Sequence, residues 1–226
     1  HGRAVPSGLF DPLTSLKTLY HALGEESALP EQIFEKVKGL TSLTLATSCP
    51  NTFPEFLLTG LSHLQKLDLQ CRNLQTLPAG FLSGLGSLTD FTLRHSQLRT
   101  LPEEFFRGAT SLRSILMNQN QFSSLPDRIF SGLQSLVVIN LSFNKILILP
   151  SRFLADMPNL RSVEIDHNKT VAFAHDILAG SNQVFSFRMQ NNELTTVPDG
   201  FGQNASSLRG IYLEGNKIVE FSTGAA

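Results

Sequence analysis

Apolar residues recur along this chain with a period of 24 residues, without an insertion or a deletion. If the first apolar residue of each copy is called position 1, then positions 1, 4, 6 and 14 are apolar throughout, apart from His21 at position 6. Position 1 is occupied by Leu16, Leu40, Leu64, Leu88, Leu112, Leu136, Leu160, Val184 and Leu208. A repeat of this length predicts a solenoid, because one unit cannot bury its apolar face alone and has to stack on its neighbours.

Near the start of each copy, polar and apolar residues alternate, as in residues 89–93 and 161–165. This alternation predicts a short strand with one buried face. Successive strands are expected to lie side by side in one parallel sheet, about 4.8 Å apart. Phenylalanines later in the copies are expected to pack in the core on the opposite, convex side; they are Phe10, Phe34, Phe106 and Phe130.

Position 9 follows the strand and carries asparagine in the later copies, at Asn120, Asn144, Asn168, Asn192 and Asn216. A side-chain amide can both donate and accept, which suits buried turn backbone that must find hydrogen-bond partners. The first four copies instead have Gly24, Ser48, Arg72 and Ser96. We therefore expect the row of asparagines to be interrupted there and the N-terminal half to be less regular.

The repeat pattern LxxLxLxxNxLxxLP resembles the leucine-rich repeat family, in the 24-residue form of extracellular animal proteins. The resemblance implies a curved horseshoe with one parallel β-sheet on the concave face and loops and short 3-10 or helical turns on the convex face. It also implies that the position-9 asparagines form a structural ladder. We expect a single domain over residues 1–226, with a half repeat 1–15, eight full repeats 16–207 and a partial repeat 208–226. Because cysteine-rich terminal caps are absent, the chain is interpreted as a piece of a longer array.

Composition narrows the possible functions. Hydrophobic residues make up 41% of the chain, and mean hydropathy is near zero, as in a folded domain. No apolar run approaches 18 residues, so no membrane contact is expected within this chain. A net charge of −1 argues against nucleic acid as a partner. The spacing of the histidines, acids and cysteines indicates no metal site, and no cofactor is expected.

The two cysteines, Cys49 and Cys71, fall on the same turn region of neighbouring copies. A disulfide between them is one possibility, since it needs Cα atoms within about 7 Å. Two free, partly buried thiols are the other possibility. The sequence alone leaves both open.

Three sequons match N-x-[ST], at Asn140, Asn168 and Asn204. The ladder position of Asn168 should turn its amide inward, so we predict that it carries no glycan. Asn204 lies on the convex side and is the better candidate for glycosylation. Asn140 is a second candidate, and a glycan there would obstruct the concave face.

We find no arrangement of residues that predicts catalysis, and we expect that the protein is not an enzyme. Asp166 and His167, beside Glu164, could be imagined as a base with a carboxylate partner. Neighbouring residues of a strand, however, point to different sides, and no nucleophile is evident.

The outward residues of the strands, at positions 5 and 7, are the candidate partner-binding surface. The copy at 136–159 also has apolar residues where solvent contact is expected, including Leu147 and Ile148. Contiguous exposed apolar surface marks interaction sites, although Phe143 could instead simply pack over the ladder turn. The candidate residues are Arg94, Leu116, Asn118, Val137, Val138, Phe143, Glu164, Asp166, Phe185, Arg188 and Tyr212.

The irregular early copies and the aligned prolines resemble Toll and Toll-like receptors. That resemblance implies an extracellular recognition module within a ligand-binding or dimerising receptor ectodomain. Its partners would be a protein or microbial ligand and a second receptor chain. The alternative is a matrix or cell-adhesion protein that holds a structural partner.

Overall fold

The computed structural model describes residues 5–23, 29–47, 49–203 and 205–221, which form eleven strands and no helix. The strands are β1 (Thr18–Leu23), β2 (Ser42–Thr47), β3 (Lys66–Cys71), β4 (Asp90–Leu93), β5 (Ser114–Leu116), β6 (Val138–Asn140), β7 (Ser162–Glu164), β8 (Ser186–Arg188), β9 (Thr196–Val197), β10 (Gly210–Tyr212) and β11 (Glu220–Phe221). No helix of membrane-spanning length and apolarity occurs in this part of the chain.

Nine strands form one parallel sheet in the order β1-β2-β3-β4-β5-β6-β7-β8-β10. Each residue pairs with its equivalent 24 residues later, as Leu19 does with Leu43 and Ile139 with Val163. The sequence period therefore sets the register of the whole sheet. The predicted parallel-sheet solenoid is confirmed.

The core is one continuous column of apolar side chains behind this sheet. In the copies that begin at residues 40 to 184, the side chains at positions 1, 4 and 6 are at most 1% exposed. Phenylalanines from the convex loops complete the column by stacking between coils. Phe106 lies 5.9 Å from Phe130, and Phe10 lies 5.9 Å from Phe34, measured between ring centroids.

The N-terminal strands are the longest ones, so the expectation of a less regular N-terminal half is wrong for the sheet. Strands β1, β2 and β3 have six residues each, whereas β5 to β8 have three each. In the later copies the asparagine at position 9 donates to the carbonyl groups at positions 6 and 7, as Asn144 does to Leu141 and Ser142. Those carbonyl groups therefore accept hydrogen bonds from the asparagine side chain of the turn. In the third copy, the carbonyl group of Leu69 at position 6 instead accepts from the backbone N–H of Arg94 on the neighbouring coil.

The convex side consists of turns whose N–H groups donate to carbonyl groups three residues earlier, as Phe105 does to Pro102 and Ala109 to Phe106. Such turns were expected, but the helices that could accompany them do not occur in the described residues. Beside the turns, a second, two-stranded parallel sheet pairs β9 with β11. An isolated parallel bridge joins Ile148 to Ala172 in the preceding copies. The sequence pattern gave no sign of this second pairing.

A disulfide joins Cys49 to Cys71, with a Cα–Cα distance of 5.0 Å. Both side chains are buried. The bond crosses from one coil to the next in the region where the position-9 asparagines are missing. It therefore provides a covalent link where the amide ladder provides none. Gly24 and Ser48, two of the residues that replace asparagine, lie outside the described residues.

Candidate partner-binding surface

The asparagines at position 9 fix the turn on which the candidate surface is built. Asn168 is 7% exposed, and its Nδ2 donates to the carbonyl oxygens of Ile165 (3.1 Å) and Leu141 (3.0 Å). Its Oδ1 accepts from the N–H of Ile146 at 3.0 Å. Asn144, Asn192 and Asn216 repeat the same set of contacts. Asn120 differs because its Oδ1 accepts from the N–H of Ser96.

Position 8, immediately before this asparagine, has a left-handed backbone in the later copies. The φ angles are 57° at His95, 60° at Gln119, 56° at Phe143, 53° at His167 and 54° at Asn191. A residue with a Cβ atom is disfavoured in this region, and a bulky one especially so. The conformation turns the position-8 side chains outward at the end of the strand, so that they lie above one another in neighbouring coils.

Phe143 and His167 stack face to face at this position. Their ring centroids are 4.1 Å apart and their planes differ by 12°. Phe143 nevertheless remains 49% exposed. The Nε2 atom of His167 lies 3.1 Å from Nδ2 of Asn191 on the next coil. An exposed aromatic pair is thus held rigidly at the rim of the concave face.

Asp166 supports this pair from the concave side. Its Oδ2 lies 2.9 Å from Nδ1 of His167, and its Oδ1 accepts from the hydroxyl group of Ser142 at 2.6 Å. The expectation that Asp166 and His167 point to different sides is wrong. The strand ends at Glu164, and the positive φ of His167 brings its ring back towards Asp166. Since the Ser142 hydroxyl donates to the carboxylate rather than to the imidazole, the geometry orients a side chain but activates no nucleophile.

The two coils that carry Phe143 and His167 share an outward apolar surface, which we call the apolar edge patch. Alternate residues are exposed along both coils, since the intervening side chains are buried. The patch consists of Phe143, Leu147 and Ile148 from one coil and His167, Val171 and Ala172 from the next, with Lys145 and Lys169 between the apolar residues. Neither lysine forms an ion pair with any described residue. Polar coils with Gln119 and Asn191 at position 8 bound the patch on both sides.

The apolar residues grouped together by the sequence fall on two surfaces. Val137 and Phe185 are at position 2, where the strands begin, whereas Phe143 follows the end of its strand. Phe143 lies six residues after Val137, and six steps of extended chain span up to roughly 20 Å. Val138 is half-buried on β6, and Phe185 is 45% exposed on its own edge. The sequence pattern missed His167, Val171 and the two lysines, although their positions in the repeat could have indicated them.

The remaining candidate residues lie on the concave sheet, where some of them contact the next strand. Asn140 donates to Glu164 on the next strand, and the guanidinium of Arg188 lies 4.9 Å from the ring centroid of Tyr212. Leu116, Asn118 and Arg94 are half-buried in neighbouring copies. No three His, Cys, Asp or Glu side chains of the described residues are grouped closely enough to hold a metal ion. The concave face is therefore mainly polar. Three of its buried polar atoms have no hydrogen-bond partner in the described structure: Oδ1 of Asp68, Nε of Arg94 and Oε1 of Gln190.

A shifted pKa is found at the N-terminal end of the core rather than at these surfaces. Partial burial lowers the pKa of His21 below its usual 6.5, because the charged imidazolium loses solvation. The ring packs edge-on against Phe10, with centroids 5.6 Å apart. On the convex surface the Glu35–Lys36 contact lowers the pKa of the carboxyl group and raises that of the amine.

Two of the three sequons can be compared with the structure. Asn168 has its amide fully occupied inside the ladder. Asn140 is half-buried on β6, where its Oδ1 accepts from the N–H of Ser142 at 2.9 Å. Asn204 lies outside the described residues.

Comparison with known proteins agrees with this architecture. A family model described as leucine rich repeat matches residues 62–122 and 110–169. The solved Toll–Spatzle complex of Drosophila, in its glycosylated form, is similar at a TM-score of 0.85 and 22% identity, over 95% of this chain and 30% of the matched chain. The APL1 leucine-rich repeat domain is similar at a TM-score of 0.76 and 20% identity, over 97% of this chain and 54% of that chain. The leucine-rich repeat domain of APL1B is similar at a TM-score of 0.72 and 18% identity, over 86% of this chain and 53% of that chain. A search of curated proteins gives no significant match.

The protein is a leucine-rich repeat solenoid and resembles part of the Toll ectodomain. It spans about a third of the matched Toll chain and about half of the matched APL1 chains. At these identities the likeness to solved structures shows the fold. The fold is that of a protein-interaction module.

Proposed function

We propose that this chain is an extracellular recognition module from the ligand-binding or dimerising ectodomain of a Toll-like receptor. The observation that carries the proposal is the apolar edge patch, a rigid, exposed and apolar surface bounded by polar coils. The similarity of this chain to Toll over nearly its whole length supports the same assignment. In that role the chain would be a glycoprotein of innate immunity or development that brings two receptor chains together for signal transduction.

The chemistry of the patch indicates what kind of partner it takes. Aromatic residues carry much of the energy of protein interfaces, and Phe143 is already held in place by His167. The side chains of Lys145 and Lys169 are exposed and without acidic partners in the described structure. We therefore infer a protein partner that presents apolar side chains flanked by carboxylates.

The alternative function, adhesion to a structural partner such as collagen, rests on the polar concave face. Arg94, Asn118 and Tyr212 offer hydrogen-bonding groups that could follow an extended partner. The two functions differ in the surface that binds. A recognition module would depend on Phe143, whereas an adhesion module would depend on the concave column.

The direct test is a binding measurement with two probes. One is Spatzle, which is in complex with Toll in the similar structure, and the other is fibrillar collagen. We expect the chain to bind Spatzle in surface plasmon resonance and Phe143→Glu to weaken that binding at least tenfold. Phe56→Glu is the matched control, because Phe56 is also exposed but lies on the convex side. Binding to collagen alone would favour the adhesion alternative. Equal effects of the two substitutions would exclude the apolar edge patch as the site.

A further inference from the structure

Basic residues predominate over acidic ones at the edge of the sheet where the strands begin. We call it the basic edge; it runs from position 22 of each copy to position 3 of the next. It contains one acidic residue, Asp90, and six basic ones: Lys17, Lys38, Lys66, Arg113, Arg161 and Arg209. The whole chain has 18 basic and 19 acidic side chains, so the acids are concentrated on its other surfaces.

A groove of about 370 Å³ crosses three coils at the middle of the basic edge. Its lining consists of Ser111, Arg113, Ser135, Val137, Asn159 and Arg161. Neither arginine forms an ion pair with a described residue. The other polar groups of the lining are two hydroxyls and one amide. The groove thus offers two unpaired cations among neutral hydrogen-bonding groups.

The backbone fixes the spacing of these charges. The carbonyl group of Arg113 accepts from the N–H of Val137 at 2.8 Å, and that of Val137 accepts from the N–H of Arg161 at 2.8 Å. Consecutive position-2 residues are therefore held at strand spacing, about 4.8 Å, which places Arg113 and Arg161 about 10 Å apart. Arg209 follows Arg161 at the same interval, and apolar Val137 and Phe185 alternate with the arginines. The result is a regular row of cations built into the repeat.

We propose that the basic edge binds a sulfated polysaccharide. A linear polymer with regularly repeated sulfate groups suits a row of cations that the backbone holds at regular intervals. The planar guanidinium group binds oxyanions through two parallel N–H donors. The nitrogen of Asn159 donates to the carbonyl group of Gln134 at 2.9 Å, which leaves its oxygen and the two hydroxyls of the lining to bond to sugar hydroxyls. Val137 and Phe185 can contact the apolar faces of sugar rings. An acidic polypeptide fits less well, because between the two arginines the groove offers only Val137 as an apolar anchor.

This surface lies at the opposite ends of the strands from the apolar edge patch. The two sites can therefore be occupied together. The proposed polysaccharide site does not depend on the identity of the protein partner. Either this proposal or the proposed receptor function can therefore fail without the other.

The test uses a size-defined heparin oligosaccharide, its fully desulfated counterpart and a polyglutamate peptide, measured by isothermal titration calorimetry. We expect the sulfated chain to bind, with an affinity that falls as salt is raised, and the other two probes to bind at least tenfold more weakly. The double substitution Arg113→Ser with Arg161→Ser should weaken sulfated-chain binding at least tenfold. Arg99→Ser with Arg128→Ser is the matched control; both residues are exposed and off the basic edge, and the change in net charge is the same.

A second pair of variants keeps every arginine in place. Val137→Glu puts a carboxylate between Arg113 and Arg161 and should reduce binding as strongly as the double substitution does. Val171→Glu, on the opposite edge, should leave it within twofold. No binding of the sulfated chain, equal loss in the control variants, or equally tight binding of polyglutamate would each overturn the proposal. The last result would identify an acidic polypeptide as the ligand.

Discussion

The side-chain nitrogen of Asn168 lies 3.0 Å from the carbonyl oxygen of Leu141, which belongs to the preceding coil. This bond and its equivalents at Asn144, Asn192 and Asn216 tie each turn to the one before it. The asparagines therefore determine where the strand ends and how the outward position-8 side chain is presented. The apolar edge patch depends on that turn.

Asn168→Asp should destabilise the chain by about 3 kcal/mol, because a buried carboxylate would replace the amide donor and face carbonyl oxygens. For a domain of this size that corresponds to a fall in melting temperature of roughly 6–12 °C. Circular dichroism melts would measure it. Asn182→Asp, on an exposed residue, is the control and should stay within about 0.5 kcal/mol. An unchanged melting temperature for Asn168→Asp would count against the hydrogen bonds described.

Removing the disulfide should destabilise the N-terminal coils. The bond closes a loop between residues 22 apart in sequence, for which the chain-entropy model gives about 3 kcal/mol. A double substitution of Cys49 and Cys71 by alanine should lower the melting temperature accordingly. Alkylation of the denatured, unreduced wild-type protein should modify no cysteine; modification of both would show that the thiols are free.

His21 should make stability depend on pH. Its pKa is lowered by burial, so the unfolded chain binds more protons than the folded chain once the pH falls below about 6.5. The stability contributed by the neutral ring is therefore fully present above that pH and is lost as the pH falls through the lowered pKa. His21→Leu should reduce the difference in melting temperature between pH 7.5 and pH 5.5. His63→Leu, at an exposed residue, should leave the difference as it is in the parent.

Phe143→Gly should separate binding from folding. Glycine accepts the left-handed backbone without strain, which offsets the lost stacking on His167, so stability should change by less than about 1 kcal/mol. Binding to a protein partner should weaken at least tenfold, because the aromatic anchor is gone. Paired melting and binding measurements would test this. A large loss of stability with unaltered binding would instead assign Phe143 to packing over the turn.

Glycan occupancy should differ among the sequons when the chain is secreted from animal cells. Asn168 should be unmodified, since its side chain is buried and a glycan would replace one of the two amide hydrogens that donate within the ladder. Asn204 is predicted from the sequence to be the better acceptor, with Asn140 second. Mass spectrometry of glycosidase-treated peptides would read each asparagine separately. A glycan on Asn168 of the folded protein would contradict the ladder geometry.

Several features of the fold could be predicted from the sequence because they repeat. The apolar residues at positions 1, 4 and 6 set both the sheet register and the core, since these positions are buried in every copy that begins at residues 40 to 184. The lengths of the strands could not be predicted in the same way. They depend on what binds the carbonyl group at position 6: the asparagine of position 9, as at Leu141, or a backbone N–H of the neighbouring coil, as at Leu69. The same limit applies to Asp166 and His167, whose contact depends on a left-handed φ that alternation does not encode.

The sequence by itself determined the solenoid, its period and the inward-facing column, because 24-residue periodicity leaves one way to bury the apolar positions. The tertiary structure decided which outward residues belong together. Val137 and Phe143 are neighbours in the pattern but lie at opposite edges of the sheet, whereas Phe143 and His167, 24 residues apart, stack directly. Surface contacts run across the coils, and their geometry is set by backbone conformation at the turns rather than by hydrophobic spacing.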